Sequence, residues 1–100
     1  MIKQMIKSMK EKREFENRPL NYLQRVALEE LLKEECIKEN AKGSNRLNFH
    51  KWAHEINEFS PSNEVAQGTV VKTVEEICKE LGLTCVRNYD SFYTSHDITW

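Results

Sequence analysis

The first residues of the chain alternate apolar and basic side chains in a helical pattern. Apolar residues recur every three or four positions, at Ile2, Met5, Ile6 and Met9. This spacing places them on one face of a helix, with lysines beside them, and predicts an amphipathic helix from Ile2 to about Arg13. Pro19 disfavours helical backbone at the residue before it. We therefore expect a basic helical arm over residues 1–18 and a separate domain over residues 19–100.

Three further stretches show the helical period. The longest runs from about Pro19 to Ala41 and is rich in strong helix formers. A second is predicted over 48–59 with Asn48 as its N-cap, and a third over 64–81 with Asn63 as its cap. Gly43 and Gly82 stand where helices commonly end. Trp52 falls on the apolar face of the 48–59 helix and is expected to anchor the core.

The last stretch changes character. Residues 83–87 and 92–100 are rich in β-branched and aromatic side chains, and a polar turn is predicted at 88–91. Two short strands joined by a turn form a hairpin, which must lean on the helices to be stable. The fold class is therefore predicted as mostly α with a C-terminal β-hairpin, that is, α+β.

Charge is unevenly distributed along a chain whose net charge is −1. Residues 1–13 carry five cations against one carboxylate, whereas residues 64–100 carry three cations against six. With 100 residues the chain has room for one hydrophobic core. A nucleic-acid-binding protein usually presents a basic surface, and the arm is the segment that offers one.

The cysteines and the apolar runs bear on the compartment. The chain has three cysteines at spacings that fit no familiar disulfide framework. It has no secretory signal pattern and no apolar run of the ~20 residues that a membrane span needs. We expect a cytoplasmic protein with reduced thiols that does not associate with membranes.

Candidate chemistry is sparse. His50 and His54 are four residues apart on one predicted helix, a spacing at which two imidazoles can share a metal ion. No further ligand motif accompanies them, so packed or surface histidines are the expected interpretation. We expect no catalytic residues, no metal, no cofactor and no enzymatic activity.

The order of elements and one segment suggest a family. Two helices, a turn, a third helix and a hairpin follow one another, and residues 69–83 read TVVKTVEEICKELGL. This segment resembles the recognition helix of the winged helix-turn-helix superfamily, and the resemblance covers residues 47–100. It implies a winged-helix-like domain with an added N-terminal helix, in which helix 64–81 enters the DNA major groove.

The resemblance implies a small DNA-binding transcriptional regulator. Base or phosphate contacts are then expected from the polar side chains of the recognition helix, namely Gln67, Thr69, Lys72 and Thr73. Backbone contacts are expected from Arg46 and Lys51 ahead of that helix, and from Arg87 on the wing.

A second function class stays open. Helix 64–81 and the hairpin are acidic, and four aromatic residues crowd the last twelve positions, namely Tyr89, Phe92, Tyr93 and Trp100. These rings either pack one face of the hairpin on the helices or form an interface. The alternative is therefore a non-enzymatic protein–protein interaction module, such as an accessory or inhibitory protein of a mobile element.

The arm also predicts self-association. A three-turn helix is marginal alone in water and needs a partner surface. Closed two-fold dimers are the commonest oligomers. We therefore expect a homodimer whose contact includes Ile2, Met5, Ile6 and Met9, with Leu20, Leu23 or Leu28 as neighbours.

Overall fold

The computed structural model describes residues 2–90 and 92–100. Its elements in chain order are α1 (Ile2–Asn17), α2 (Tyr22–Ala41), β1 (Arg46–Phe49), α3 (Ala53–Asn57), α4 (Gln67–Leu81), β2 (Thr84–Tyr89) and β3 (Thr94–Thr99). The predicted α+β class with a C-terminal hairpin is confirmed, and a further strand, β1, joins the hairpin.

Helix α2 begins with a reciprocal cap. The side-chain oxygen of Asn21 accepts a hydrogen bond from the backbone N–H of Gln24, and the Gln24 oxygen accepts one from the backbone N–H of Asn21, both 3.0 Å long. This capping box satisfies two donors that the first turn leaves unpaired. It explains why α2 starts at Tyr22 rather than at the predicted Pro19.

The predicted helix over 48–59 is wrong in its first half. Residues 46–49 form β1, which runs antiparallel to β3 with Arg46 opposite Thr99 and Phe49 opposite His96. Asn48 does not cap a helix, because its amide donates 3.1 Å hydrogen bonds across the sheet to Ser95 Oγ and Asp97 Oδ1. Sheet pairing therefore overrides the helical spacing of the apolar residues.

Helix α3 is a short remnant of that prediction. It spans Ala53–Asn57, and the Glu55 carboxylate accepts a 2.8 Å hydrogen bond from the backbone N–H of Trp52. Ile56 is fully buried, whereas Trp52 is 41% exposed. The prediction that Trp52 anchors the core is therefore wrong.

Helix α4 starts three residues later than predicted. Asn63 was expected to cap it, but its side-chain amide donates to Gln24 Oε1 at 2.8 Å, and its carbonyl accepts from Gln24 Nε2 at 2.6 Å. Of the predicted apolar stripe, Val70, Val74 and Ile77 are buried, whereas Leu81 at its end is 37% exposed. Gly82 ends the helix in the left-handed region, with φ of 73°, a conformation that favours glycine.

The three strands form one antiparallel sheet in the order β1-β3-β2. Strand β2 continues to Tyr89, two residues past its predicted end, and Tyr89 pairs with Thr94. The turn predicted at 88–91 begins later as a result, and its Ser91 lies outside the described residues. The backbone N–H of Asp90 donates to the Tyr93 carbonyl at 2.9 Å, which closes the hairpin.

The core lies where α2 and α4 meet the sheet. Its fully or almost fully buried members are Leu28, Leu32, Phe49, Ile56, Val65, Val70, Val74, Ile77, Cys78 and Ile98. Cys78 is a packed core residue, as expected. Leu28 was expected beside a dimer contact, but its side chain has no exposed surface and cannot touch a second chain. Leu23, one turn earlier, is 59% exposed.

Helix α1 stands apart from this core. None of its residues is buried, and among the described residues it contacts α4 and no other helix or strand. The molecule is elongated as a result, with extents of 59 × 28 × 21 Å. None of the helices in the described ranges combines the length and the apolarity that crossing a membrane requires.

Candidate interaction surface

Three of the four α4 side chains predicted to contact DNA are held by hydrogen bonds within the chain. The Gln67 amide donates to the Lys51 carbonyl at 2.9 Å and accepts from the backbone N–H of Ala53 at 2.6 Å. The Thr69 hydroxyl donates to the Glu16 carbonyl at 3.2 Å. Thr73 is buried, and its hydroxyl donates to the Thr69 carbonyl at 2.7 Å. Thr73 therefore has no route to a DNA surface.

The other predicted contacts do not converge on one surface. Lys72 is exposed on α4. Arg46 lies at the start of β1, opposite Thr99, and so at the end of the sheet remote from the hairpin turn. The Lys51 ammonium lies 4.0 Å from the Glu35 carboxylate and 5.7 Å from the centre of the Phe49 ring. Lys51 is thus part of a local cluster that ties the segment before α3 to α2.

Arg87 is engaged by α4. Its guanidinium donates two hydrogen bonds to the Glu75 carboxylate, of 3.0 and 2.6 Å, and a third of 3.3 Å to the Tyr89 hydroxyl. The hydrogen bonds from Arg87 hold the pKa of Glu75 below its usual range, and the same pairing raises the pKa of Arg87. The arginine of β2 therefore pairs with α4, which precedes it.

Arg25 on α2 neutralises the C-terminal half of α4. Its guanidinium lies 2.7 Å from Glu80 and 3.6 Å from Glu76. Together Arg25 and Arg87 partner all three glutamates of α4, namely Glu75, Glu76 and Glu80. Residues 53–100 nevertheless carry three cations against eight carboxylates, a net charge of −5. The domain beyond β1 is therefore an acidic body with little basic surface.

Aromatic rings gather at the hairpin end of the sheet. The His50 ring centre lies 4.5 Å from those of both Trp52 and Tyr93, and the Trp52 and Tyr93 rings are 5.9 Å apart. His50 Nδ1 is 2.9 Å from the Thr94 carbonyl, so this nitrogen is the donor. That bond fixes the imidazole between the two larger rings.

Two further aromatic residues are exposed at the same end of the sheet. Phe92 lies in the hairpin turn and is 87% exposed, and Tyr89 at the end of β2 is exposed as well. The strand pairing puts the end of β1, the end of β2 and the start of β3 at the same end of the sheet, near the hairpin turn. We call Trp52, Tyr89, Phe92 and Tyr93 the aromatic tip. Trp100 belongs to the opposite end, so the predicted aromatic cluster is divided between two places.

The surroundings of the histidines and cysteines indicate structural roles rather than metal binding or nucleophilic chemistry. His50 precedes α3 and His54 lies on it, so the two imidazoles do not share a helical face. Within the described residues no group of three or more potential ligands is arranged to hold a metal ion. Burial raises the pKa of the Cys78 thiol to about 12, which keeps it protonated at neutral pH. A protonated buried thiol is a poor nucleophile.

Comparison of the chain with models of known families, with curated proteins and with solved structures gave no match. The chain's own geometry is therefore the basis for a functional assignment.

Proposed function

We propose that this chain is a non-enzymatic protein-interaction module that uses the aromatic tip to bind a basic surface on another protein. The scaffold we assign to it is a winged helix-turn-helix domain. The order α2-β1-α3-α4-β2-β3, with β3 between the other two strands, supports that assignment. In it α4 takes the place of the recognition helix, and the β2–β3 hairpin that of the wing. A fold of this kind does not fix the function.

The charges favour a protein over DNA as the partner. DNA binding draws most of its affinity from cations that displace counterions from phosphates. Arg25 and Arg87 both lie against α4, and each is paired with one of its glutamates. Lys72 stays exposed, but residues 53–100 around it carry a net charge of −5. An acidic surface attracts a basic partner and repels DNA.

The observation that carries the proposal is the exposure of the aromatic tip. Large aromatic side chains dominate binding energy at protein interfaces when they insert into pockets of a partner. Here Trp52 and Tyr93 are held by contacts with His50, and Phe92 and Tyr89 are exposed at the same end of the sheet. Their faces also attract arginine and lysine by cation–π interaction. Such a module acts as an accessory or inhibitory protein by covering a basic surface of its partner.

Affinity capture from a native lysate tests this proposal when the wild type is compared with surface variants. We expect Tyr89→Ala combined with Phe92→Ala to weaken capture of the specific partner by about thirtyfold or more, since a single interface hot spot contributes about 2 kcal/mol or more. The matched control is Tyr22→Ala, which removes an exposed ring from α2, outside the tip. Equal capture by all three proteins contradicts the proposal.

The competing function is DNA binding as a transcriptional regulator, with Lys72 on α4 and Arg46 at the start of β1 as exposed predicted contacts. A gel-shift assay with mixed-sequence duplex DNA at low salt separates the two functions. Under our proposal any shift at low salt comes from the basic arm over residues 1–13, and Lys72→Ala leaves it unchanged. A shift that Lys72→Ala weakens and the aromatic-tip double variant does not would favour DNA binding.

A further inference from the structure

Helix α1 presents an apolar stripe that nothing in its own chain covers. Ile2, Met5, Ile6 and Met9 are all exposed, with Ile2 at 74%. The helix is held near its C-terminal end, where the Glu16 carbonyl accepts the hydrogen bond from Thr69 at the start of α4. A helix of four to five turns is marginal in water without tertiary contacts. The stripe therefore needs a complementary surface.

An apolar groove lies at the other end of α4. It has a volume of about 420 Å³ and is lined by Leu32, Cys36 and Ile37 of α2, by Leu81 and Leu83 at the end of α4, and by Trp100. Ile37 is 70% exposed on its wall. The groove is large enough for several aliphatic side chains, since apolar ligand pockets of this size hold small organic molecules.

We propose that this groove receives the α1 stripe of a second copy of the chain, so that two copies exchange their N-terminal helices in a closed dimer. In this dimer the α1 stripe of each copy covers the groove of the other. The same contact therefore forms twice, as a two-fold axis requires. The proposal concerns a different surface from the aromatic tip and does not depend on the proposed function.

Position argues against occupation by the same chain. The end of α1 is bonded to Thr69, whereas the groove begins at Leu81, 12 residues further along α4. At 1.5 Å per residue this is about 18 Å along the helix. The stripe would have to reverse direction and lose the contact between Glu16 and Thr69 to reach its own groove. A second copy meets no such constraint.

Charge complementarity supports the same occupant. The stripe is flanked by Lys3, Lys7 and Lys10, and no acidic residue occurs before Glu11. The α2 wall of the groove is acidic overall, because Tyr22–Ala41 carries five glutamates against three cations. Glu34 is paired with Lys38 at 3.8 Å, whereas Glu30, in the depression beside the groove, is an exposed carboxylate. Lysines beside an apolar stripe thus meet glutamates beside an apolar groove, and such pairs fix the orientation of association.

Sedimentation equilibrium over a micromolar range tests the dimer and its two surfaces. We expect a dimer for the wild type, and a folded monomer for Ile6→Glu with Met9→Glu and also for Ile37→Glu. Leu23→Glu is the matched control on α2 outside the groove, and we expect it to remain dimeric. A monomeric wild type at high micromolar concentration overturns the proposal. So does a dimeric Ile37→Glu variant, or a monomeric Leu23→Glu variant.

The native Cys36 in the groove allows a direct readout of the contact. In an Ile6→Cys variant, air oxidation should yield an intermolecular disulfide between positions 6 and 36, identified by mass spectrometry of the linked peptides. A disulfide between two copies of position 6 would mean that the α1 helices pair with each other, and it would contradict the groove contact. Exchanging charges with Lys7→Glu and Glu30→Lys together should restore a dimer that Lys7→Glu alone weakens.

Discussion

The guanidinium of Arg87 on β2 lies against the carboxylate of Glu75 on α4, joined by hydrogen bonds of 3.0 and 2.6 Å. This two-point contact fixes the hairpin to the helix that precedes it. Bidentate pairing is the strongest arrangement that an arginine and a carboxylate adopt. The same arginine is the one basic side chain of the described hairpin residues. Its pairing therefore removes the cation that a DNA-binding wing would need.

The contact between Arg87 and Glu75 should contribute measurably to stability. The two side chains are 35% and 33% exposed, so solvent screening limits their coupling to about 0.5–1 kcal/mol. A double-mutant cycle with Arg87→Ala and Glu75→Ala, followed by urea denaturation, measures it. The control cycle uses Lys12→Ala and Glu16→Ala, an exposed pair with a 4.0 Å separation, where we expect coupling near zero. Equal coupling in both cycles would contradict the structural role.

Gln24 should contribute more to the stability of the fold than a polar side chain usually does. Its side chain is fully buried and bonds to the backbone N–H of Asn21, the Asn63 carbonyl and the Asn63 amide. Gln24→Ala leaves these buried groups without a partner, at about 1–3 kcal/mol for the network. Thermal or urea unfolding gives the difference directly. Gln4→Ala, on the exposed arm, serves as the control and should leave the midpoint unchanged.

Truncation of two leucines of α2 should change the stability by very different amounts. Leu28 has no exposed surface, so Leu28→Ala should lower the free energy of unfolding by about 2–5 kcal/mol. Leu23→Ala should change it by about 0.5 kcal/mol or less, because that side chain lies at the surface. Denaturant titration of both variants checks the pair. Similar losses at the two positions would place Leu23 in a contact absent from the described structure.

His96 should make the fold sensitive to mild acid. Burial lowers the pKa of this imidazole from its usual 6.5, an effect that the nearby Glu75 carboxylate opposes and that Arg87 and His50 reinforce. The unfolded chain therefore binds a proton at a pH where the folded chain does not. The stability that the neutral imidazole contributes is present above about pH 6.5 and is lost as the pH falls below it.

Urea denaturation at a series of pH values tests this dependence. His96→Gln should flatten the loss of stability between pH 6.5 and 5, and His54→Gln, an exposed control on α3, should keep it. The lowered pKa of Glu75 adds a second loss at a more acidic pH, below its usual 4.5, because its carboxylate must then be protonated. If the wild type and His96→Gln lose stability in parallel between pH 6.5 and 5, burial of His96 does not control this window.

The helices were the predictable part of the fold. Leu28 and Leu32 on α2, and Val70, Val74 and Ile77 on α4, recur at the helical period and are buried. Strand β1 was not predicted, because four residues are too few to establish the period-two pattern of a strand. Leu47, Asn48 and Phe49 do alternate, but Phe49 also continues into the apolar spacing of α3. The pairing of β1 with β3 depends on residues about fifty positions away, which no local pattern reports.

The candidate site was less predictable for the same reason. A sequence shows that Gln67 and Arg87 are polar, but not that Lys51 and Glu75 use up their hydrogen bonds. Because residues 46–49 form a strand, α3 begins only at Ala53. Trp52 therefore precedes the helix instead of lying on its buried face. Phe92 and Tyr93 precede β3, which begins only at Thr94, so they lie outside the strand predicted over 92–100.

The central strand of the sheet is the last one to be synthesised, and this has a consequence during translation. β1 and β2 bond to β3 and not to each other, and Ile98 of β3 completes the core. Until residue 99 has left the ribosome, Phe49 on β1 lacks its partner strand, and Ile77 on α4 has no sheet to cover it. A nascent chain that already holds both helices is therefore held open, with its apolar surfaces accessible to chaperones. A product released before this point lacks the central strand and becomes a substrate for proteases rather than a smaller domain.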